Sequence, residues 1–401
     1  MLKGILRAAS IMACTAFISS PVSANDWVQM PLDNTQPWSI RMIESEMVRF
    51  PEAWQIDWDE TPQWDYVHGL NLLAITEVYQ DTKDPRLLSY VKGYYDMLVQ
   101  ENGSIETYDI NKFNIDMINP GKVLFFLYEE TGNPKYKKAA DLLRAQLTTH
   151  PRTKQGGFWH KKRYPDQMWL DGLYMGAPFY AEYIVKYGDM EELDDVFLQF
   201  ELIEENLYDE KTGLPLHGWD ASKKQKWADK ETGLSQHHWS RSLGWYAMAM
   251  VDVLDVVPAE HPKTPWLKAR FKKFIDAALA YQHSSGTWYQ VTDLGSRKGN
   301  YLEASGTTML TYAMAKGASL KLLPAQYKAY AEKGFAGLLD QMISVNPDTN
   351  VISLEQVCAV AGLGGNPYRD GSFDYYMSEP IRANDAKGVG PFILAAHYLN
   401  K

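Results

Sequence analysis

The sequence predicts an all-α fold, an (α/α)6 barrel of six helical hairpins, and three observations carry that expectation. Twelve segments after residue 38 repeat apolar residues at three-and-four spacing, while almost nothing alternates in the manner of a strand. Six of those segments open on a glycine followed by an apolar run rich in small residues: His68-Gly69-Leu70, Pro120-Gly121-Lys122, Asp171-Gly172-Leu173, Leu243-Gly244-Trp245, Ser305-Gly306-Thr307 and Lys387-Gly388-Val389-Gly390. Each interval between them holds one further, more charged helix, so apolar helices are expected inside a ring and amphipathic ones outside it. Finally, 401 residues with 45% hydrophobic and 22% charged side chains suit a large core and exclude a disordered or collagen-like chain. A helical solenoid is the alternative, and no capping repeat at either end supports it.

Taken in order, the periodic segments predict helices at 39–50, 67–79, 86–100, 120–130, 136–149, 172–187, 194–207, 242–257, 265–283, 305–322, 325–342 and 388–399, with Pro or Gly between them. What precedes them reads as a targeting signal. Lys3 and Arg7 form a basic start, residues 8–18 an apolar stretch, and Val22-Ser23-Ala24 a small-x-small cleavage site. Residues 1–24 are therefore expected to be a signal peptide and 25–401 a single catalytic domain, periplasmic or secreted. A lipoprotein box around Cys14 is the lesser alternative, because Met12 suits it poorly. Cleavage leaves Cys358 alone, which rules out an intramolecular disulfide and a cysteine-based metal cage. No later apolar run reaches membrane-spanning length. The formal charge of −10, with no recurring Lys/Arg stripe, argues against a nucleic-acid partner.

The chemistry is expected where the inner helices begin. Asp65, His68, Asp116, Asp171, Arg241, Glu303, Asp385 and Lys387 all lie just before or inside those starts, and a closed ring gathers them at one end. An acid at a helix start is commonly a cap, worth about 1 kcal/mol. Capping does not explain Arg241 or Lys387, because a cation there opposes the helix dipole, so an anion is the expected ligand. The stretch from Phe158 to Gly176 sets His160, Tyr164, Gln167, Trp169 and Asp171 close together, which suits a sugar: aromatic rings cover its apolar face while amide and carboxylate take its hydroxyls. The loops that hold His217-Gly218-Trp219-Asp220 and Gly286-Thr287-Trp288-Tyr289-Gln290 have the same character. A Gly-x-Gly-x-x-Gly motif, a phosphate loop, His-Glu-x-x-His and Gly-x-Ser-x-Gly are all missing, and His237-His238 lacks helical ligand spacing. Neither cofactor nor metal is expected.

Five motifs in order resemble those of glycoside hydrolase family 105: Trp169-Leu170-Asp171-Gly172-Leu173-Tyr174-Met175-Gly176, His217-Gly218-Trp219-Asp220, Trp239-Ser240-Arg241-Ser242-Leu243-Gly244-Trp245-Tyr246, Tyr301-Leu302-Glu303-Ala304-Ser305-Gly306 and Asn384-Asp385-Ala386-Lys387-Gly388-Val389-Gly390. The resemblance spans the chain after the leader. It implies an (α/α)6 barrel that removes a terminal 4,5-unsaturated galacturonyl or glucuronyl residue from lyase-generated oligosaccharides, as the related family 88 does. Carried over by motif, Asp171 is similar to the catalytic general acid and Asp116 to the second carboxylate. Tyr66, His217, Arg241 and Trp245 resemble ring-binding positions, and His160 and Trp288 join them from the aromatic loops. Ser240, Ser242 and Leu243 stand where many members carry small or glycine residues, which leaves the sugar after the unsaturated ring open. The implied reaction hydrates a vinyl ether: an acid protonates C4, water adds at C5, and the hemiketal expels the aglycone. Asp116 as a like-charged neighbour, with burial among Trp169, Trp245 and Tyr174, is expected to favour the protonated form of Asp171. The competing expectations are another (α/α)6 carbohydrate enzyme, such as an inverting glycosidase or a lyase, and a noncatalytic glycan-binding protein.

Overall fold

The computed structural model describes residues 31–401; the expected signal peptide lies outside them. Helices α1 (Trp38–Arg49), α2 (Tyr66–Thr82), α3 (Pro85–Leu98), α4 (Gly121–Thr131), α5 (Pro134–Thr149), α6 (Leu170–Tyr187) and α7 (Leu193–Asn206) form the first half. The second half holds α8 (Ser240–Val256), α9 (Thr264–Leu279), α10 (Ala304–Ser319), α11 (Tyr327–Gln341), α12 (Phe373–Ser378) and α13 (Ala386–Leu399). Twelve of these match the periodic segments. The six-residue α12 was not expected, because so short an element cannot display a helical period.

Local sequence explains where the helices stop and start. Gly132, at φ 68°, ends α4 in the left-handed conformation, after which the Asn133 side chain accepts from the Lys135 amide and Pro134 opens α5. Helix α5 then buries Tyr136, Ala139, Ala140, Leu143 and Leu147, a single stripe, and leaves its other face to solvent. By contrast α8 is buried without interruption from Ser240 to Leu254. Each such Leu or Val contributes about 1.5–3 kcal/mol when fully covered, so the uniformly apolar helices belong inside.

The inner helices close a ring. Helix α2 packs on α4, α4 on α6, α6 on α8, α8 on α10, α10 on α13, and α13 back on α2. Outside them α3, α5, α7, α9 and α11 cover α2, α4, α6, α8 and α10, and α1 covers α13. Glycines permit the close approach of neighbouring helix starts. A Cβ at Gly69 would lie 2.5 Å from Pro120 Cα, and one at Gly306 would lie 2.7 Å from the Ser240 carbonyl carbon. Short antiparallel ladders lead into three inner helices: Gln167–Trp169 pairs with Gly218–Asp220 before α6, Trp288–Tyr289 with Leu302–Glu303 before α10, and Val357–Cys358 with Ile381–Arg382 before α13. They tie together the loops at the end where the inner helices begin. No helix of the described residues is long and apolar enough to cross a membrane.

Candidate active site

The acids at the helix starts divide into two kinds. Asp65 caps α2 through the Val67 amide, Glu303 caps α10 through Ser305 and Gly306, and Asp385 caps α13 through Lys387. Glu303 also accepts from the Cys358 amide at 3.0 Å, which leaves it a saturated structural carboxylate. Asp171 lies in the first turn of α6 and Asp116 in the 3-10 turn Ile115–Ile118, and neither of them caps.

Both of these carboxylates line one cleft of about 640 Å³, together with Tyr66, His160, Tyr164, Trp169, Trp239, Arg241 and Trp245. The backbone brings them together. Asn114 bridges to Lys161, and the Ile115 amide donates to the His160 carbonyl, so Asp116 faces the aromatic loop. The Leu170 amide donates to the His217 carbonyl, which sets His217 beside Asp171. His160, Trp169 and Tyr164 then stack, with ring centroids 4.4 Å and 5.1 Å apart, into one wall. Trp245, stacked on Tyr174 at 4.9 Å and edged by Tyr66 at 6.5 Å, forms the floor.

The electrostatics of the cleft oppose those of the whole chain. Lys161, Arg163, Arg241, Arg369 and Lys387 line it against Asp116 and Asp171, although the formal charge of the protein is −10. Lys161 Nζ lies 2.5 Å from Asp116 Oδ2. Burial pushes the Asp116 carboxyl up, but Lys161, His160 and Arg163 outweigh it and hold the group below the usual carboxylate range. Burial pushes His160 down to about 4, so its imidazole, 3.5 Å from Asp116, is neutral near pH 7. The Arg241 guanidinium is 1% exposed; it donates to the Cys358 carbonyl and to Ser305 Oγ at 3.3 Å, and among the described residues it has no carboxylate in direct contact and its Nε has no partner. Arg369 is likewise held by neutral acceptors, the Gly364 carbonyl at 2.8 Å and Tyr164 Oη at 2.9 Å. Lys387 is paired with Asp385 at 2.9 Å.

Of the residues singled out from sequence, Asp171, Asp116, Tyr66, His160, Arg241 and Trp245 converge on the cleft. Two do not line it. Trp288 is fully buried in the core and its indole donates to the Ala278 carbonyl at 2.8 Å, so it is a packing residue rather than a sugar platform. His217 is also fully buried and lies behind Asp171, its Nε2 3.3 Å from Oδ2 but without the alignment of a hydrogen bond. The like charge expected to act on Asp171 is compensated, because Asp116 is paired with Lys161. Sequence reasoning missed Lys161, Arg163 and Arg369. The cationic run Lys161-Lys162-Arg163 inside an aromatic loop was a signal for the first two, whereas nothing distinguished Arg369 within its glycine-rich loop. Among the described residues no group of three or more His, Cys, Asp or Glu side chains could hold a metal ion.

Comparison with known proteins agrees with this architecture. The model of Glycosyl Hydrolase Family 88 matches residues 38–400. A glycoside hydrolase from family 105 of C. acetobutylicum ATCC 824 has a solved structure that superposes with a TM-score of 0.87 at 44% identity, over 91% of this chain and 99% of that one. Protein Atu3128 of Agrobacterium fabrum is 37% identical over 227 residues, 55% of this chain and 96% of its own. An unsaturated 3S-rhamnoglycuronyl hydrolase of Alteromonas sp. is 23% identical over 57% of this chain, a match that spans 50% of that enzyme. The unsaturated glucuronyl hydrolase of Bacillus sp. GL1, at 12% identity and a TM-score of 0.65, shares the fold over 89% of this chain and 94% of its own. The chain belongs to the glycosyl hydrolase family 88 and 105 group, and it is a glycosidase built on an (α/α)6 barrel.

Proposed function

We propose that the enzyme removes a terminal 4,5-unsaturated uronic acid from oligosaccharides left by a polysaccharide lyase, by protonating C4 and adding water at C5. The observation that carries this reading is a cationic, aromatic-walled cleft with two acids of unlike surroundings. Asp116 is held ionised by Lys161, while Asp171 has no Lys or Arg within ion-pairing distance among the described residues, its neighbour being His217 at 3.3 Å. Two carboxyl groups in unlike surroundings that line one cleft are what separate catalytic roles require. In this reading Asp171 gives its proton to C4 and then takes one from the attacking water, and Asp116 orients that water. Arg241 takes the uronate carboxylate, since a guanidinium bound only to neutral acceptors keeps its charge for an anion. Trp245, Tyr66 and the stack of His160, Trp169 and Tyr164 cover the ring. The reaction passes from vinyl ether to hemiketal to open ketone and free aglycone, with the solvent proton on C4 and the solvent oxygen on C5. The names of the Alteromonas and Bacillus relatives support this substrate class.

The same reading takes residues 1–24 as a cleaved export signal and the enzyme as periplasmic or secreted; N-terminal sequencing of the mature protein tests it. The catalytic assignment is tested with Asp171→Asn. Loss of the proton donor is expected to lower kcat by about 10²-fold or more with the fold intact. A variant within tenfold of wild type overturns it.

A further inference from the structure

His217 is fully buried and does not line the cleft, yet it stands between Asp171 and α12. On its other side Nδ1 lies 2.8 Å from Tyr376 Oη. Tyr376 belongs to α12, is fully buried, and stacks on Trp239 with centroids 6.2 Å apart. Its main chain is anchored to the same wall: the Tyr376 carbonyl accepts from Gln290 Nε2 at 3.4 Å, and Gln290 Oε1 accepts from Trp239 Nε1 at 3.1 Å. The groups that face His217 are therefore Asp171, Tyr376, and the rings of Trp169 and Trp239. His160 lies next along the wall, and His237 and Tyr375 flank Tyr376.

Burial pushes the Tyr376 phenol well above its ordinary value, with Tyr375 and Asp171 adding to the effect, so the hydroxyl keeps its proton. With that proton given to His217 Nδ1, 2.8 Å away, the phenol selects one imidazole tautomer. The imidazole hydrogen then resides on Nε2, 3.3 Å from Asp171 Oδ2. Oδ2 is a buried atom, whereas the 13% of the Asp171 side chain that is exposed leaves Oδ1 toward the cleft. A proton on Oδ2 would lie against the Nε2–H edge of His217, which disfavours it there and favours Oδ1.

We propose that Tyr376 is a positioning residue, which through the tautomer of His217 keeps the transferable proton of Asp171 on the oxygen that faces the substrate. Without the phenol oxygen the imidazole is free to carry its hydrogen on Nδ1. Nε2 then accepts from Oδ2–H, and the proton turns away from C4. Binding of the sugar is untouched by this change, because neither Tyr376 nor His217 lines the cleft.

The inference rests on the role proposed for Asp171, and its test separates the two. Nitrogen-15 spectra of histidine-labelled wild type, with His217 assigned by His217→Gln, report the tautomer without any substrate. Nε2–H is expected, and Nδ1–H overturns the proposal. Tyr376→Phe keeps the ring and is expected to melt within a few degrees of wild type. Its kcat on the unsaturated disaccharide should fall about tenfold, the scale of one net hydrogen bond, with KM within twofold. Full kcat in the variant, or a loss that resides in KM, overturns the proposal. A wild type that leaves the disaccharide untouched sinks the parent reading instead, and the tautomer measurement still decides the part played by Tyr376.

Discussion

Replacing Lys161 by Met asks whether the second carboxylate works as an anion. Lys161 Nζ and Asp116 Oδ2 are 2.5 Å apart, with side chains 15% and 8% exposed. At an effective dielectric of about 20 and a charge separation of about 3 Å, their attraction is on the order of 5 kcal/mol. Hydration of the lysine in the separated state offsets part of that, and Arg163 continues to favour the anion after the substitution. A net loss of about 1–3 kcal/mol remains, which corresponds to about one to two pH units. The sign follows from the environment: burial alone raises the Asp116 carboxyl, and Lys161 is the largest influence that lowers it. Without Lys161 the group protonates at higher pH, so the acid limb of the kcat profile should move upward by that amount. The assay follows loss of the ultraviolet absorbance of the unsaturated sugar between about pH 4 and pH 8, with melting recorded on the same samples. An acid limb that stays in place would refute the reasoning, since Asp116 would then not need its charge.

Two further predictions concern the anion site and a buried acid. If Arg241 holds the uronate carboxylate, wild type should discriminate strongly against the methyl ester of the unsaturated disaccharide, and Arg241→Met should lose most of that discrimination, a buried charge pair being worth about 2–5 kcal/mol. A mutant that still prefers the free acid as strongly as wild type contradicts the assignment. Glu46 is 2% exposed, and burial, against the pull of Arg49, raises its carboxyl to about 7. A folded value above the unfolded one means that its contribution is full below about pH 4.5 and is lost as pH rises through about 7. Glu46→Gln should therefore stabilise the protein relative to wild type by about 1–3 kcal/mol more at pH 8 than at pH 5. Parallel stability curves would show that Glu46 does not titrate in the folded state.

How much of this was legible in the sequence depended on the range of the interaction. Helix periodicity and the six glycine starts are local, and they sufficed for the ring, because a glycine opposite Pro120 or Ser240 is a packing requirement written at a single position. Asp171 and Asp116 were legible as acids at inner-helix starts. That Asp65, Glu303 and Asp385 cap, while the other two do not, depends on side-chain direction and was hidden. Trp288 looked like a sugar platform because its loop composition matches one, but the ladder with Leu302–Glu303 turns its ring into the core. Arg369 and Tyr376 touch residues far away in the chain, Tyr164 and His217, through contacts with no local signature. Tyr376 also sits on a helix too short to show a period.

The central claim is that the double bond, rather than the anomeric carbon, is the reacting centre. Its most direct measurement offers the purified enzyme an unsaturated uronyl disaccharide and its saturated counterpart in parallel, following ultraviolet absorbance and released aglycone together. Absorbance should fall in step with aglycone from the unsaturated sugar, and the saturated one should remain intact. Cleavage of the saturated disaccharide at a comparable rate, or absorbance that rises, would contradict the account.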